Sequence, residues 1–345
     1  MDRKIMKAAV FEGNGVLSLK EVPVPEIIKE DDVLLQVEAV SICGSDLHIL
    51  NVPPGQYGRP GTIMGHEFVA YVREVGEAVS TVQAGDRVVV EPNIQCGVCP
   101  ECKSGHGNLC RNAQNTGQWR DGGFAGYCVL PEKQLHLVPK ELPAKAAALA
   151  EPLACVMNGI MKLAPMPHEK IVLFGAGAIG LIFLRVLKRF GIRHIAVGEM
   201  DPVRRQEAEN LGASYVFNPG EQNWMQKLEE QWGTLADAVI DAVGAGTVLE
   251  HAVDIVKCGG RILIFGQNMT QHSTIQPGNI NRKEITVMAS LSTKFSFPPA
   301  IELLNDPVLG LEQIVTHELS LSEIEKGLQL MRNKQAQKVV LYPQE

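Results

Sequence analysis

Four cysteines fall within 15 residues, in the run CGVCPECKSGHGNLC: Cys96, Cys99, Cys102 and Cys110. Thiolates at this spacing satisfy a tetrahedral Zn²⁺ with no position left open, the kind of site that holds structure rather than turns over substrate. An iron–sulfur cluster is the rival, and the final gap of seven residues fits it less well. Gly97, Gly105 and Gly107 give the loop freedom to wrap an ion. His106 lies inside the loop, where four thiolates already complete the shell, and reads as an exposed loop histidine.

A second chemistry sits in FGAGAIG. Gly175 permits a tight turn, Gly177 lets the backbone approach a pyrophosphate, and Gly180 lets a helix pack closely on a strand. The loop from Gly175 through Gly177, Ala178 and Ile179 to Gly180 is therefore expected to bind a dinucleotide at a helix N-terminus, where unpaired N–H groups favour an anion. Glu199 follows 19 residues after Gly180. A carboxylate there accepts the ribose hydroxyls of an adenosine and repels a 2′-phosphate, which favours NAD over NADP. Arg204 and Arg205 lie close by, with Arg204 a further candidate contact to the cofactor.

A third set is dispersed. Cys43 opens CGSDLH, His66 and Glu67 follow Gly65, and Glu151 precedes Pro152. A thiolate, an imidazole and carboxylates would make an open zinc shell with room for water or substrate. Taken singly, each has a structural alternative: a lone cysteine is often a small buried apolar residue.

These groups need elements to position them. The first ~150 residues read as β-rich, with strands expected at 32–40, 68–75 and 87–91. From about Ala154 the texture changes. KIVLF (170–174) is a wholly apolar run, the pattern of a strand buried on both faces, and a helix is expected over 179–190. The alternation repeats: strand HIAVGE, helix 202–211 opened by Pro202 after Asp201, strand SYVFN, helix 221–231, strand DAVIDAVG, helix 247–256, with RILIFG closing the series. Strand and helix in this order specify an α/β, doubly wound parallel sheet. After about Ser292 the order is lost, through KFSFPPA to a tail ending QKVVLYP.

Composition narrows the class further. The chain has 345 residues, 45% hydrophobic and 21% charged, which suits a soluble protein of two domains. A net charge of −7 gives no basic footprint for nucleic acid. The longest apolar stretch, Ile171 to Leu184, is short of the ~20 residues a bilayer span needs. Lys7 interrupts any signal-peptide core in MDRKIMKAAVFEG, so a cytoplasmic protein is expected. In such a reducing compartment eight cysteines are thiols or metal ligands rather than disulfides.

Together these residues resemble the zinc-dependent medium-chain dehydrogenases/reductases, nearest the branch of sorbitol (polyol), polyol-phosphate and threonine dehydrogenases. The motifs are CGSDLH at 43–48, GHEFVAYVREVG at 65–76, GDRVVVEP at 85–92, the four-cysteine lobe at 92–112, DGGFAGY at 121–127, EPLA at 151–154, GAGAIG at 175–180 and DAVG at 241–244. The resemblance implies a Rossmann domain over 154–292 inserted in a GroES-like β-rich catalytic domain, 1–153 with 293–345, and an active site in the cleft between them. It implies two zinc ions per chain and NAD. Cys43 and His66 would be fixed ligands of a catalytic zinc, Glu67 and Glu151 would share the remaining coordination, and Asp46 would orient His66. Ser45 would take the substrate's hydroxyl proton and His48 would pass it to solvent. The implied substrate is a secondary alcohol of a polyol, sugar alcohol or sugar acid, with polyol phosphate and then threonine as alternatives. The implied assembly is a homodimer or homotetramer, with no membrane or nucleic-acid partner.

The chain departs from the family's pattern around the substrate. The loop ILNVPPGQYGRPGT brings Tyr57 and Arg59 as pocket candidates, Trp119 and Arg120 precede DGGF, and MASLSTKFSF offers Lys294 where many polyol enzymes have an arginine. Asn158 stands where relatives commonly have histidine. A phosphorylated substrate would need basic groups to converge, and Arg59, Arg120 and Lys294 are candidates by location. Two other classes compete: a zinc-free reductase of the same superfamily, against which Cys43, His66 and Glu151 argue, and a non-enzymatic zinc-binding protein, which would need a broken relay or ligand set.

Overall fold

A computed structural model describes residues 4–344. Met1–Arg3 and Glu345, which the expected catalytic domain includes, lie outside the described residues. The chain divides into two compact units, one running to Ala154 and resuming at Thr293, the other Cys155–Ser292.

The first unit opens with the antiparallel hairpin β1 (Ile5–Gly13) and β2 (Val16–Pro23). Asn14 and Gly15 turn it, both at positive φ, the conformation that Asn-Gly tolerates. Then come β3 (Asp32–Ser41), β4 (Glu67–Val75), β5 (Arg87–Val90), β6 (Tyr127–Pro131) and β7 (Leu135–Leu137). β3 and β4 pair antiparallel, and β6 pairs with the opening half of β3. Val33, Leu35, Val37 and Val40 of β3 are fully buried, joined in one core by Phe68, Val88 and Phe124.

The second unit carries β8 (Lys170–Phe174), β9 (His194–Gly198), β10 (Tyr215–Phe217), β11 (Ala236–Asp241), β12 (Val256–Ile264) and β13 (Thr286–Ala289). Their spatial order is β10-β9-β8-β11-β12-β13, and every pairing is parallel. This is the doubly wound α/β sheet expected, and its order reverses direction beside β8, where such sheets bind ligands. β8 is buried at four of its five positions, as its apolar run requires. The helix after it spans Ala178–Arg189. Asp201 caps the helix Pro202–Asn210, its Oδ1 accepting from the amides of Val203 (2.8 Å) and Arg204 (3.2 Å).

Three expectations need correction. RILIFG does not close the sheet, because β13 adds an edge beyond it. Three residues of TVMA are apolar, but the strand is only four residues long and three of its positions are exposed, as suits an edge. The helix expected from 221 starts at Trp224, because Glu221 N–H turns back onto the Asn218 carbonyl at 3.1 Å. The strand–helix order expected to be lost after Ser292 resumes there. That stretch holds helices Phe297–Leu304 and Ile324–Arg332 and two strands, β14 (Val315–Ser320) and β15 (Lys338–Tyr342). These strands rejoin the first unit, in the order β14-β15-β3-β4-β5-β7. Among the described residues, no helix is long and apolar enough to cross a membrane.

Candidate metal and cofactor sites

Cys43 ends the turn after β3 and caps the short helix Gly44–Ile49. Asp46 stabilises that start, its Oδ2 accepting the Cys43 N–H at 2.9 Å. The same carboxylate turns its Oδ1 toward Nδ1 of His66, 3.6 Å away, with both groups buried. His66 follows Gly65, whose φ of +88° and contact with Phe124 leave no room for a Cβ. On the far side of the ring, Nε2 lies 3.4 Å from Ser45 Oγ. His48, three residues after Ser45 on the same helix, is exposed and lies against Gly55.

Glu67 starts β4 and is 1% exposed. Donor atoms of Cys43, His66 and Glu67 all lie within 4.8 Å of one another. Glu67 Oε1 is buried with no hydrogen-bond partner. Burial resists the charge on Glu67, but the Lys338 ammonium, then His66, outweighs it and holds the carboxyl below its usual range. Burial, with Glu67 beside it, pushes the Cys43 thiol up. Burial works against a charged His66, yet Cys43 and Asp46 raise it well above an ordinary imidazole. A buried acceptor without a donor, beside a thiol that resists ionising, is what a divalent cation would relieve. The donor set therefore fits a metal ion. Glu151, buried at the start of the helix Ala150–Leu163, lies outside this three-residue group, and its charge reaches Lys338.

The four lobe cysteines also converge, with sulfurs within 4.8 Å of one another and Cys99 Sγ 3.4 Å from Cys102 Sγ. The amide of Cys96 donates to Cys110 Sγ and that of Cys99 to Cys96 Sγ, both at 3.4 Å. Backbone donors from Val98 and Cys99 pull the Cys96 thiol down to about 6. The convergence of four sulfurs, with N–H···S bonds that favour a thiolate at Cys96, fits Zn²⁺ with no open position. His106 stays outside it, bonded to Ser104 Oγ at 3.2 Å. The eight cysteines are all free of disulfides.

In the second unit, Gly175 sits at φ +99°, and a Cβ on Gly180 would stand 2.0 Å from the Gly175 carbonyl oxygen. A Cβ on Gly177 would meet only the Arg204 guanidinium, at 3.8 Å. Open space above a helix N-terminus at Gly177 fits a pyrophosphate. Glu199 ends beside this loop, its Oε2 accepting the Ala176 amide and its Oε1 the Asp201 amide, each at 3.0 Å. Arg205 donates instead to the carbonyls of Glu199 and Met200, both at 2.7 Å.

The expected pocket residues divide. Arg59, Trp119 and Arg120 line a cavity of about 860 Å³ in the first unit whose walls include none of Cys43, His66 and Glu67. Tyr57 stacks on Trp119 at 4.9 Å. Asn158 Nδ2 donates to the carbonyls of Leu291 (3.3 Å) and Ser292 (2.7 Å), a structural tie. Ser41 and Lys338, which sequence reasoning missed, both touch Glu67. The one trace of Lys338 in the sequence is a lysine opening the apolar run KVVLY.

Residues 29–140 match the family described as alcohol dehydrogenase GroES-like domain, and residues 178–306 that described as zinc-binding dehydrogenase. An L-threonine 3-dehydrogenase of Caldanaerobacter subterraneus subsp. tengcongensis is 33% identical over 98% of each chain. A sorbitol dehydrogenase of Bacillus subtilis is 31% identical over 98% of this chain and 97% of its own. A protein of Sinorhizobium meliloti 1021 described as a zinc-binding dehydrogenase, solved bound to NADP, superposes with a TM-score of 0.94. It is 30% identical over 99% of this chain and 100% of that one.

Proposed function

The chain belongs to the zinc-dependent medium-chain dehydrogenase/reductase family, and from that premise we propose that it oxidises a secondary alcohol of a polyol or related sugar alcohol or sugar acid, using NAD. The observation that carries the reading is the meeting of Cys43, His66 and Glu67, with Ser45 Oγ 3.4 Å from Nε2 of His66. Bound zinc would supply Lewis acidity toward the substrate hydroxyl, and bound NAD would accept its hydride.

The chain's own residues have distinct parts in this reading. Cys43 and His66 hold the metal as thiolate and imidazole, and Glu67 adds an oxygen. Asp46 faces Nδ1 of His66, which leaves Nε2 as the donor nitrogen. Ser45 takes the hydroxyl proton, and exposed His48 gives it to solvent. The lobe cysteines close around a second zinc. Gly175, Gly177, Ala178, Ile179 and Gly180 bind the pyrophosphate, with Arg204 beside them, and Glu199 disfavours a 2′-phosphate.

Arg59 and Arg120 line a cavity away from the donors, which favours a non-phosphorylated alcohol over a polyol phosphate. A threonine-type substrate is the second reading, favoured by the 33% identical relative of that name. Reduction of NAD and of NADP, measured across polyols, polyol phosphates, aldonates and threonine with and without a zinc chelator, tests the proposal. Expected are turnover of a polyol or aldonate with NAD, its loss on chelation, and two zinc per chain. Turnover unaffected by complete metal removal would refute the catalytic zinc. The family also leads to a homodimer or homotetramer, which light scattering resolves.

A further inference from the structure

Glu67 is held from one side only. Its Oε2 accepts from Ser41 Oγ and from Lys338 Nζ, the latter at 2.5 Å, while Oε1 is buried and has no partner. Strand register explains the meeting. Ser41 of β3 lies directly across from Glu67 of β4 and, on its other side, from Val340 of β15. Lys338 is two residues before Val340, so it points to the same face. Three adjacent strands thus deliver a hydroxyl, a carboxylate and an ammonium to one buried spot, and Lys338 is only 4% exposed.

A buried lysine is expensive to keep unless its charge is matched. Its match is Oε2, which leaves Oε1 as the carboxylate oxygen without a donor in a residue that groups with Cys43 and His66. A carboxylate with both oxygens loose can chelate a cation, and one gripped by two donors can offer a single oxygen. We propose that Lys338 is a positioning residue that, with Ser41, grips Glu67 by Oε2 so that a metal at Cys43 and His66 receives Oε1 alone, which leaves a coordination position for substrate. The proposal rests on the metal reading above and specifies how the chain keeps that metal open.

The test uses the full chain with Co²⁺ in place of zinc, and the Cys43→Ser protein as the reference spectrum for the four-cysteine site. In Lys338→Met, the freed carboxylate chelates, the coordination number rises, and the intense visible bands of low-coordinate cobalt are lost. Chelator competition should then show metal held about tenfold more tightly, the scale on which neighbours of metal ligands act. Ser41→Ala, which leaves no unmatched charge, should move both readouts the same way by less. Lys338→Arg should keep the parent spectrum, and the Glu67→Gln/Lys338→Met pair should regain the intensity lost in Lys338→Met.

A merely structural lysine predicts the opposite sign, looser metal in Lys338→Met. That result, or spectra and affinities unchanged in both Lys338→Met and Ser41→Ala, would overturn the grip while leaving the metal site standing. A parent protein indistinguishable from Cys43→Ser would overturn the metal reading, and the grip with it.

Discussion

Ser45 and His48 share one short helix but differ in surroundings. Ser45 is half-buried against the donor nitrogen of His66, whereas His48 is exposed. A proton relay built this way depends more on its inner member. Ser45→Ala should lower kcat by about 10²-fold or more, with NAD affinity unchanged by fluorescence titration. A kcat within twofold of the parent would remove Ser45 from the relay. At this scale the sequence was informative where residues cluster in short motifs, as Cys43, Ser45, Asp46 and His48 do. It was silent on Ser41 and Lys338, since their meaning comes only from Glu67, and nothing in a serine or a lysine names its partner.

Elements set the cofactor loop. The helix Ala178–Arg189 packs against β8 so closely that the Gly175 carbonyl occupies the space where a Gly180 side chain would begin. Gly180→Ala should push helix from strand at a cost of roughly 1–3 kcal/mol, read as a lower urea midpoint, and should weaken NAD binding in the same protein. Unchanged values for both would show that the helix can shift without consequence. β8, β9 and β11 were visible as apolar runs because both their faces are covered. β13 was not, because its apolar run is only three residues long and lies at an edge where most of its positions stay exposed.

At the scale of the whole molecule, one unit is assembled from two stretches of chain separated by the other. Pattern along a sequence exposes the inserted parallel sheet, whose strands and helices are neighbours in order. It reveals little of β14 and β15, since β15 is defined by pairing with a strand, β3, made some 300 residues earlier, and β14 by pairing with β15. The four-cysteine lobe lies at the other extreme, since its partners are all local. It has few buried apolar residues of its own, so metal must hold it in shape. Removing zinc with a chelator should expose residues 93–112 to limited proteolysis while far-ultraviolet circular dichroism of the parallel sheet persists. First cuts elsewhere would show that the lobe stands without its ion.

The grip on Glu67 also has a history in time. Glu67 and Lys338 lie 271 residues apart, and a chain is made and folded from its N-terminus onward. Cys43, His66 and Glu67 therefore leave the ribosome long before the lysine that neutralises the carboxylate. During that interval the carboxylate of Glu67 has Ser41 as a donor to Oε2 but no ammonium to neutralise it. Closing β15 against β3 is then the step that brings the matching charge to Glu67, so that carboxylate stays uncompensated until the last strand is in place.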